Sequence, residues 1–226
     1  MIKKTLYPKT KRIQYKNRVV ITEKLDGSNI GFFKVNGDLI IAQRNNIFLM
    51  NELEENKQML YRGLKGWLDE YGEGLKDKLM EGSGFFGEWI GMGKIKYPDL
   101  DKKVYMFAKA NYVKGEIRNL YYEHELFKYP FVNQEFLEYI GIVPVVEERD
   151  NFPEIETLDY NYEIYKTKVN RNVEGFVIAQ NNNVNKYVRM KNGQLQAHLK
   201  VNKVYDILDN FKDEIIREKI KNRRYK

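Results

Sequence analysis

The chain has 226 residues, 42% of them hydrophobic and 14% aromatic, enough to bury one large core or two small ones. It has no cysteine, which excludes disulfides, thiolate catalysis and thiolate metal sites; no apolar run approaches the roughly 18 residues of a membrane span, and the basic N-terminus lacks an apolar signal core, so a cytoplasmic protein without membrane attachment is expected. The net charge of +7, with both ends basic, favours a polyanionic partner, nucleic acid first, over a Lys-rich surface whose charge is evenly spread.

In chain order, residues 18–24 and 30–35 read as strands around a turn at 25–29, and Asn36-Gly37-Asp38 leads into a third strand, predicting a β-meander over 18–44. Within 51–80, Leu60, Leu64, Trp67, Leu68, Leu75 and Leu79 recur at helical spacing, predicting an amphipathic helix broken near Gly72–Gly74. Residues 84–91 and 102–110 read as buried strands, 133–140 as a short helix, 141–148 as a strand and 161–170 as a helix. Residues 173–180 and 186–192 read as a strand pair joined by an Asn-rich turn. From 195 onward Leu199, Val204, Ile207, Leu208, Phe211 and Ile215 fit one amphipathic helix or two. The sum is an α+β chain with a mostly antiparallel sheet core and no evident internal boundary.

Several residues stand out against this frame. Lys24 sits at the mouth of a turn, between Glu23 and Asp26-Gly27. Taken alone it is a solvated strand-end charge. Glu88, in "FFGEWIG", and Glu174, in "VEGFVIAQ", lie among apolar strand residues, where a buried carboxylate needs a partner or a metal. Arg189 and Lys191 alternate on one face of a predicted strand, and a phosphate between them would relieve their repulsion. Together these groups can hold and attack a triphosphate. A neutral lysine amine, favoured by nearby cations and partial burial, is a nucleophile for phosphorus. Carboxylates hold a divalent metal, and cations stabilise phosphoryl charge. No G-x-x-x-x-G-K-[ST] loop occurs, so side chains rather than a P-loop must hold the phosphates. His124 and His198 have no metal-ligand spacing, and the "GMGKIKYPDL" stretch (91–100) reads as a loop, with contact to a substrate strand as the minor reading.

The order of these pieces resembles the covalent nucleotidyltransferases, the DNA ligases, RNA ligases and mRNA-capping guanylyltransferases. Lys24-Leu25-Asp26-Gly27 matches their K-x-D-G signature, and the longer "EKLDGSN" is most similar to the bacteriophage and kinetoplastid RNA-repair ligases. "AQRNN", "FFGEWIG", "KVYMFAKA", "VEGFVI" and "VRMK" resemble the later motifs in the expected order. The resemblance implies a nucleotidyltransferase (ATP-grasp-like ligase) domain over 1–192, with mostly antiparallel sheets flanked by helices, and a short C-terminal helical tail over 193–226. An OB-fold domain is not expected, because only the 35 residues 192–226 follow Lys191.

It also implies roles. Lys24 attacks the α-phosphorus of ATP, with Mg2+ or Mn2+ present, and carries AMP to a 5′-phosphate that a 3′-hydroxyl then seals. Glu23 lies near the adenine, Asp26 and Gly27 shape the turn beside the ribose, and Asn29 serves the later steps at the nick. Arg44 contacts the nucleotide, Glu88 the ribose, Arg189 and Lys191 the phosphates. Glu174 helps bind the metal. Phe107 stacks on the adenine, with Tyr105 as the second choice. Arg189 stands where the family pattern has lysine, and Ala108-Lys109 stand where an acid often follows the aromatic. The leading expectation is an ATP-dependent RNA ligase acting on nicked or single-stranded ends, with a partner protein as one source of substrate grip. DNA or hybrid nicks, a GTP-using capping enzyme and a non-catalytic end-binding protein are the competing readings.

Overall fold

The computed structural model describes residues 18–43, 47–53, 61–113, 116–121, 138–180, 183–191 and 194–195. In chain order these form β1 (Val19–Lys24), β2 (Ser28–Val35), β3 (Asp38–Gln43), β4 (Ile47–Leu49), α1 (Leu64–Lys78), β5 (Ser83–Trp89), β6 (Val104–Val113) and β7 (Glu116–Tyr121). There follow β8 (Gly141–Ile142), β9 (Val145–Arg149), α2 (Ile155–Val169), β10 (Gly175–Gln180), β11 (Asn183–Val188), β12 (Met190–Lys191) and β13 (Gln194–Leu195).

The strands make two main sheets and one small hairpin. The larger sheet runs β4-β3-β2-β5-β6-β7, with β8 beside β6; the smaller runs β11-β10-β1-β9; β12 and β13 pair alone. Every pairing is antiparallel except β6 with β8. Strand alternation decides what each face meets. On the larger sheet Ile30, Phe32, Phe85 and Trp89 pack with Leu64, Trp67 and Leu68 of α1. Its other face presents Phe33, Phe86 and Ala108 to Ala179 and Val184 of the smaller sheet. The smaller sheet's far face, with Val19, Ile21, Phe176 and Tyr187, packs with Leu158, Tyr162 and Tyr165 of α2. Two sheets therefore lie face to face with one helix over each outer face.

The α+β class and the antiparallel pairing agree with the sequence reading, and five local expectations do not. The predicted meander holds only for its second half. β2 and β3 meet at Asn36-Gly37, both with positive φ (54° and 78°), the geometry of a two-residue hairpin turn. β1 pairs instead with β10 and β9 in the other sheet. The Lys24 turn is thus a crossing between sheets. The predicted helix break at Gly72–Gly74 is also absent. Those glycines sit inside α1 because a Cβ would come 2.3 Å from Met50 Sδ at Gly72 and 3.1 Å from Tyr139 Oη at Gly74. The predicted strand over 141–148 splits at Pro144, which has no N–H to give a ladder. Its halves join different sheets, with Val143 N donating to Met106 O and Pro144 O accepting from Glu23 N. The predicted strand over 186–192 starts earlier, at Asn183, and breaks at Arg189. α2 likewise starts earlier than expected, at Ile155, and ends at Asn170 in the left-handed conformation. Most of the 133–140 helix, the tail beyond Leu195, Arg44 and both histidines lie outside the described residues.

Candidate active site

Successive strand residues point to opposite faces, so β1 ends by sending Glu23 toward α2 and Lys24 toward the space between the sheets. Lys24 Nζ donates to Glu174 Oε2 at 2.7 Å. Glu174 immediately precedes β10, whose Gly175 is the register partner of Lys24. The Glu174 carbonyl accepts from Arg189 N at 2.8 Å and Met190 N at 2.9 Å. A Cβ at Gly175 would come 1.9 Å from Tyr187 O, which accounts for the Glu-Gly pair: the acid needs a neighbour with no side chain.

Glu88 approaches from the larger sheet, on the face opposite Trp89. Burial pushes its carboxyl up to about 8; the Lys24 charge opposes this, and the Glu174 charge adds to it. The Gly27 N–H donates to Glu88. Gly27 is forced sterically, since a Cβ there would lie 2.3 Å from Trp89 O and 2.9 Å from Glu88 Cγ. Burial also raises the Glu174 carboxyl, against the pull of Lys24. The sequence reading expected cations around Lys24; the described residues put two carboxyl groups there instead. Besides Lys24, the cation that acts on Glu174 is Lys186, which acts to lower it and lies two residues from Val184 on the inward face of β11. Its signal in the sequence was alternation with Val184 and Val188, one register earlier than the basic pair singled out.

Asp26 works as a clasp. Its Oδ2 accepts from Lys94 N at 2.6 Å and Ile95 N at 3.0 Å, and its own N–H donates to Tyr97 Oη at 2.5 Å. A Cβ at Gly93 would meet Asp26 O at 1.9 Å. The stretch 91–100 is therefore the loop that folds over the lysine turn, a part that reading it as an ordinary loop missed.

Behind the sheet, Glu23 is 1% exposed. Its carboxylate accepts from Arg171 Nη1 at 2.5 Å, Arg171 Nη2 at 2.9 Å and Tyr165 Oη at 2.9 Å. Arg171 also donates to Asp99 through Nε at 2.6 Å and Nη2 at 3.0 Å, and its Cζ stands 4.7 Å from the centre of the Tyr97 ring. Arg171 carries no motif, and nothing in the sequence pointed to it.

The remaining candidates divide. Asn29 is in register with Glu88, and its carbonyl accepts from Tyr61 Oη at 2.7 Å. Phe107 is the extra residue of a β-bulge, since Phe86 pairs with Ala108 and Gly87 with Met106. It packs, half-buried, against the cluster between the sheets and against Leu25, Ile90, Tyr105 and Val143. Tyr105 is buried, and its hydroxyl accepts from Lys102 N at 3.0 Å. Arg189 follows Tyr187 on the α2 side. It donates to Asp159 Oδ1 at 2.7 Å and lies 5.4 Å from the Tyr162 ring centre, and its buried Nε has no hydrogen-bond partner among the described residues. The Lys191 backbone pairs with Gln194. The structure thus gathers Lys24, Asp26, Gly27, Asn29, Glu88, Phe107 and Glu174, while the side chains of Glu23 and Arg189 lie on the other face.

Among the described residues no three acids or histidines are grouped as a complete metal cage. Glu88 and Glu174 nonetheless suit Mg2+ or Mn2+, which bind by one or two carboxylates together with substrate phosphates. Two acids whose burial pushes both toward protonation are a place where a dication displaces the proton. No helix among the described residues is long and apolar enough to cross a membrane.

The family model described as RNA ligase matches residues 17–201. A search of curated proteins finds no sequence match. Among solved structures, the fold is similar to Naegleria gruberi RNA ligase with pyrophosphate, at 16% identity and a TM-score of 0.52, over 76% of this chain and 50% of that one. A lysine-to-alanine variant of the same enzyme with ATP and manganese gives 14% identity and a TM-score of 0.51 over the same shares. The chain therefore matches about half the length of these solved proteins.

Proposed function

The chain belongs to the RNA ligase family, and from that premise we propose that it is an ATP-dependent RNA ligase working through a covalent lysyl-AMP. The observation that carries the reading is the Lys24–Glu174 ion pair, with Glu88 brought against it from the opposite sheet. The similar solved structures, one with ATP and manganese and one with pyrophosphate, support the nucleotide and the metal.

Lys24 Nζ attacks the α-phosphorus of ATP; an N–P bond forms and the bond to pyrophosphate breaks. The amine must first lose a proton, and Glu174 Oε2, in direct hydrogen bond, is the acceptor within reach. The turn keeps the nucleophile in place, with Asp26 tied to the Lys94 and Ile95 backbone and to the Tyr97 hydroxyl, and Gly27 packed on Trp89. Phe107 offers its half-buried ring to the adenine, and Asn29 and Glu88 face the sugar; Glu23, its carboxylate held by Arg171 on the opposite face of β1, supports the turn rather than the adenine. Arg44, Arg189 and Lys191 engage phosphates, which requires Arg189 to leave Asp159. Glu174, with Glu88, would hold Mg2+ or Mn2+, which would neutralise charge on the triphosphate. AMP then passes to a 5′-phosphate, and a 3′-hydroxyl displaces it. The substrate is RNA with nicked or single-stranded ends, in the cytoplasm, and the basic net charge supports a polyanion. The adenylyltransferase unit lies within residues 1–192, with 193–226 as a tail, and a partner protein shares the grip on RNA.

Labelled ATP and GTP offered with Mg2+ test the nucleotide: ATP labels the protein and GTP does not. A chase with 5′-phosphorylated nicked RNA then moves the label to RNA and seals it. Label that moves only to nicked DNA would replace RNA as the substrate, and labelling by GTP alone would replace the ligase reading with the capping one.

A further inference from the structure

We propose that Arg171 is a positioning residue for the adenylylation step, which ties both arms of the lysine turn to one rigid point. This rests on the lysyl-AMP reading of Lys24. β1 ends at Lys24 in one sheet and β2 begins at Ser28 in the other, so residues 25–27 bridge two sheets with no ladder of their own. The upstream arm is Glu23, one residue before the nucleophile, held by Arg171 through both carboxylate oxygens. The downstream arm is Asp26, two residues after it, held by the 94–97 segment. That segment reaches the same guanidinium through Asp99, which takes Nε and Nη2, and through the Tyr97 ring beneath Cζ. Arg171 also stands three residues before Glu174, the partner of Lys24. One planar group therefore joins three segments that must keep their spacing while Lys24 attacks.

Only arginine fits this geometry. Its fork binds two carboxylates at once and stacks on an aromatic face; a lysine ammonium is a point charge that does neither. The side chains of Arg171 and Glu23 are 5% and 0% exposed, so the Glu23 arm of the clamp is dry and cannot relax through water. Arg171 touches neither the nucleotide pocket side of β1 nor Lys24 itself. Its effect on the reaction is through the position of Nζ, and a misplacement near 1 Å slows such a step by about 100-fold.

The test is single-turnover AMP transfer to the protein at saturating ATP and Mg2+. The amplitude reports the folded fraction, and the rate constant reports the geometry. R171K should slow the rate constant by about 10- to 100-fold with the ATP concentration for half-maximal rate nearly unchanged. D99N, at a more exposed position that spares the buried Glu23 pair, should slow it less but measurably. Because Arg171 acts through Glu23, R171K combined with E23Q should be no slower than the slower single variant. A loss confined to amplitude or melting temperature, with wild-type rate constants in R171K and D99N, overturns the proposal. Additive effects of R171K and E23Q overturn it too. If R171K fails to fold, the D99N rate constant decides alone. A wild type that takes no AMP overturns the lysyl-AMP reading and this proposal with it; a wild type that takes AMP while both variants keep its rate overturns this proposal only.

Discussion

Glu23 and Lys24 are consecutive residues on opposite faces of one strand, and their surroundings differ in kind. Glu23 is closed: a forked guanidinium and a tyrosine hydroxyl satisfy its carboxylate, and no solvent reaches it. Lys24 is open: among the described residues its ammonium has a single carboxylate partner, both side chains are partly exposed, and a second acid beside them is held up near 8. A fully paired buried charge stiffens the backbone and changes little with conditions. A loosely shared set of acids and amine can pass a proton and receive a phosphate. The strand uses its rear residue to hold the turn still and its front residue for chemistry.

The largest expected break in this contrast comes from the front. Glu174→Ala removes the acceptor for the lysine proton and half of the metal pair. AMP transfer to the protein should slow by about 100- to 10,000-fold, while circular dichroism still reports a folded chain. Wild-type rates in that variant would remove Glu174 from both roles.

Next is the hinge between the two faces. Gly27→Ala drives a methyl into Trp89 O and Glu88 Cγ. Overpacking of this kind should destabilise by about 1–3 kcal/mol, measured by urea unfolding, and should slow AMP transfer in the folded fraction. A variant of unchanged stability would mean that the turn does not depend on this close approach.

The smallest effect is in pH. The folded value of Glu88, about 8, lies above its ordinary 4.5, so the folded chain keeps a proton that the unfolded chain has released. Wild-type stability should therefore decline as pH rises from about 4.5 through 8 and level off beyond it. Glu88→Gln mimics the protonated acid and lacks that decline, so the variant should gain on wild type by about 1–3 kcal/mol above pH 8. Urea unfolding at pH 6 and pH 9 measures the difference; parallel pH dependence in the two proteins would place Glu88 in water.

The contrast also marks what was legible in the sequence. Lys24, Glu88 and Glu174 were visible because charged residues interrupt apolar strands, and burial makes such interruptions costly unless they serve something. The path of the turn was not visible. A lysine between two β-rich segments looks like a hairpin, and only the pairing of β1 with a strand about 150 residues later turns it into a crossing between sheets. Local propensity makes Gly72 and Gly74 read as breaks, but Met50 and Tyr139 from distant segments fill the space they leave. The 91–100 loop was correctly a loop, yet its backbone N–H groups, which have no sequence signature, are what hold Asp26. Arg189 was placed on one face with Lys191 by counting in twos, and the break after Val188 ends that count. Arg171 shows the same limit most plainly, since its partners come from β1 and from the 91–100 loop, far from it in the chain.

The most direct measurement is the intact mass of the protein after incubation with ATP and Mg2+ from neutral to alkaline pH, for the wild type and for Lys24→Ala. A wild type that gains one AMP, mapped to the peptide containing Lys24, with no gain in the variant, is the predicted result. No adduct at any pH, or the same adduct in Lys24→Ala, would contradict it.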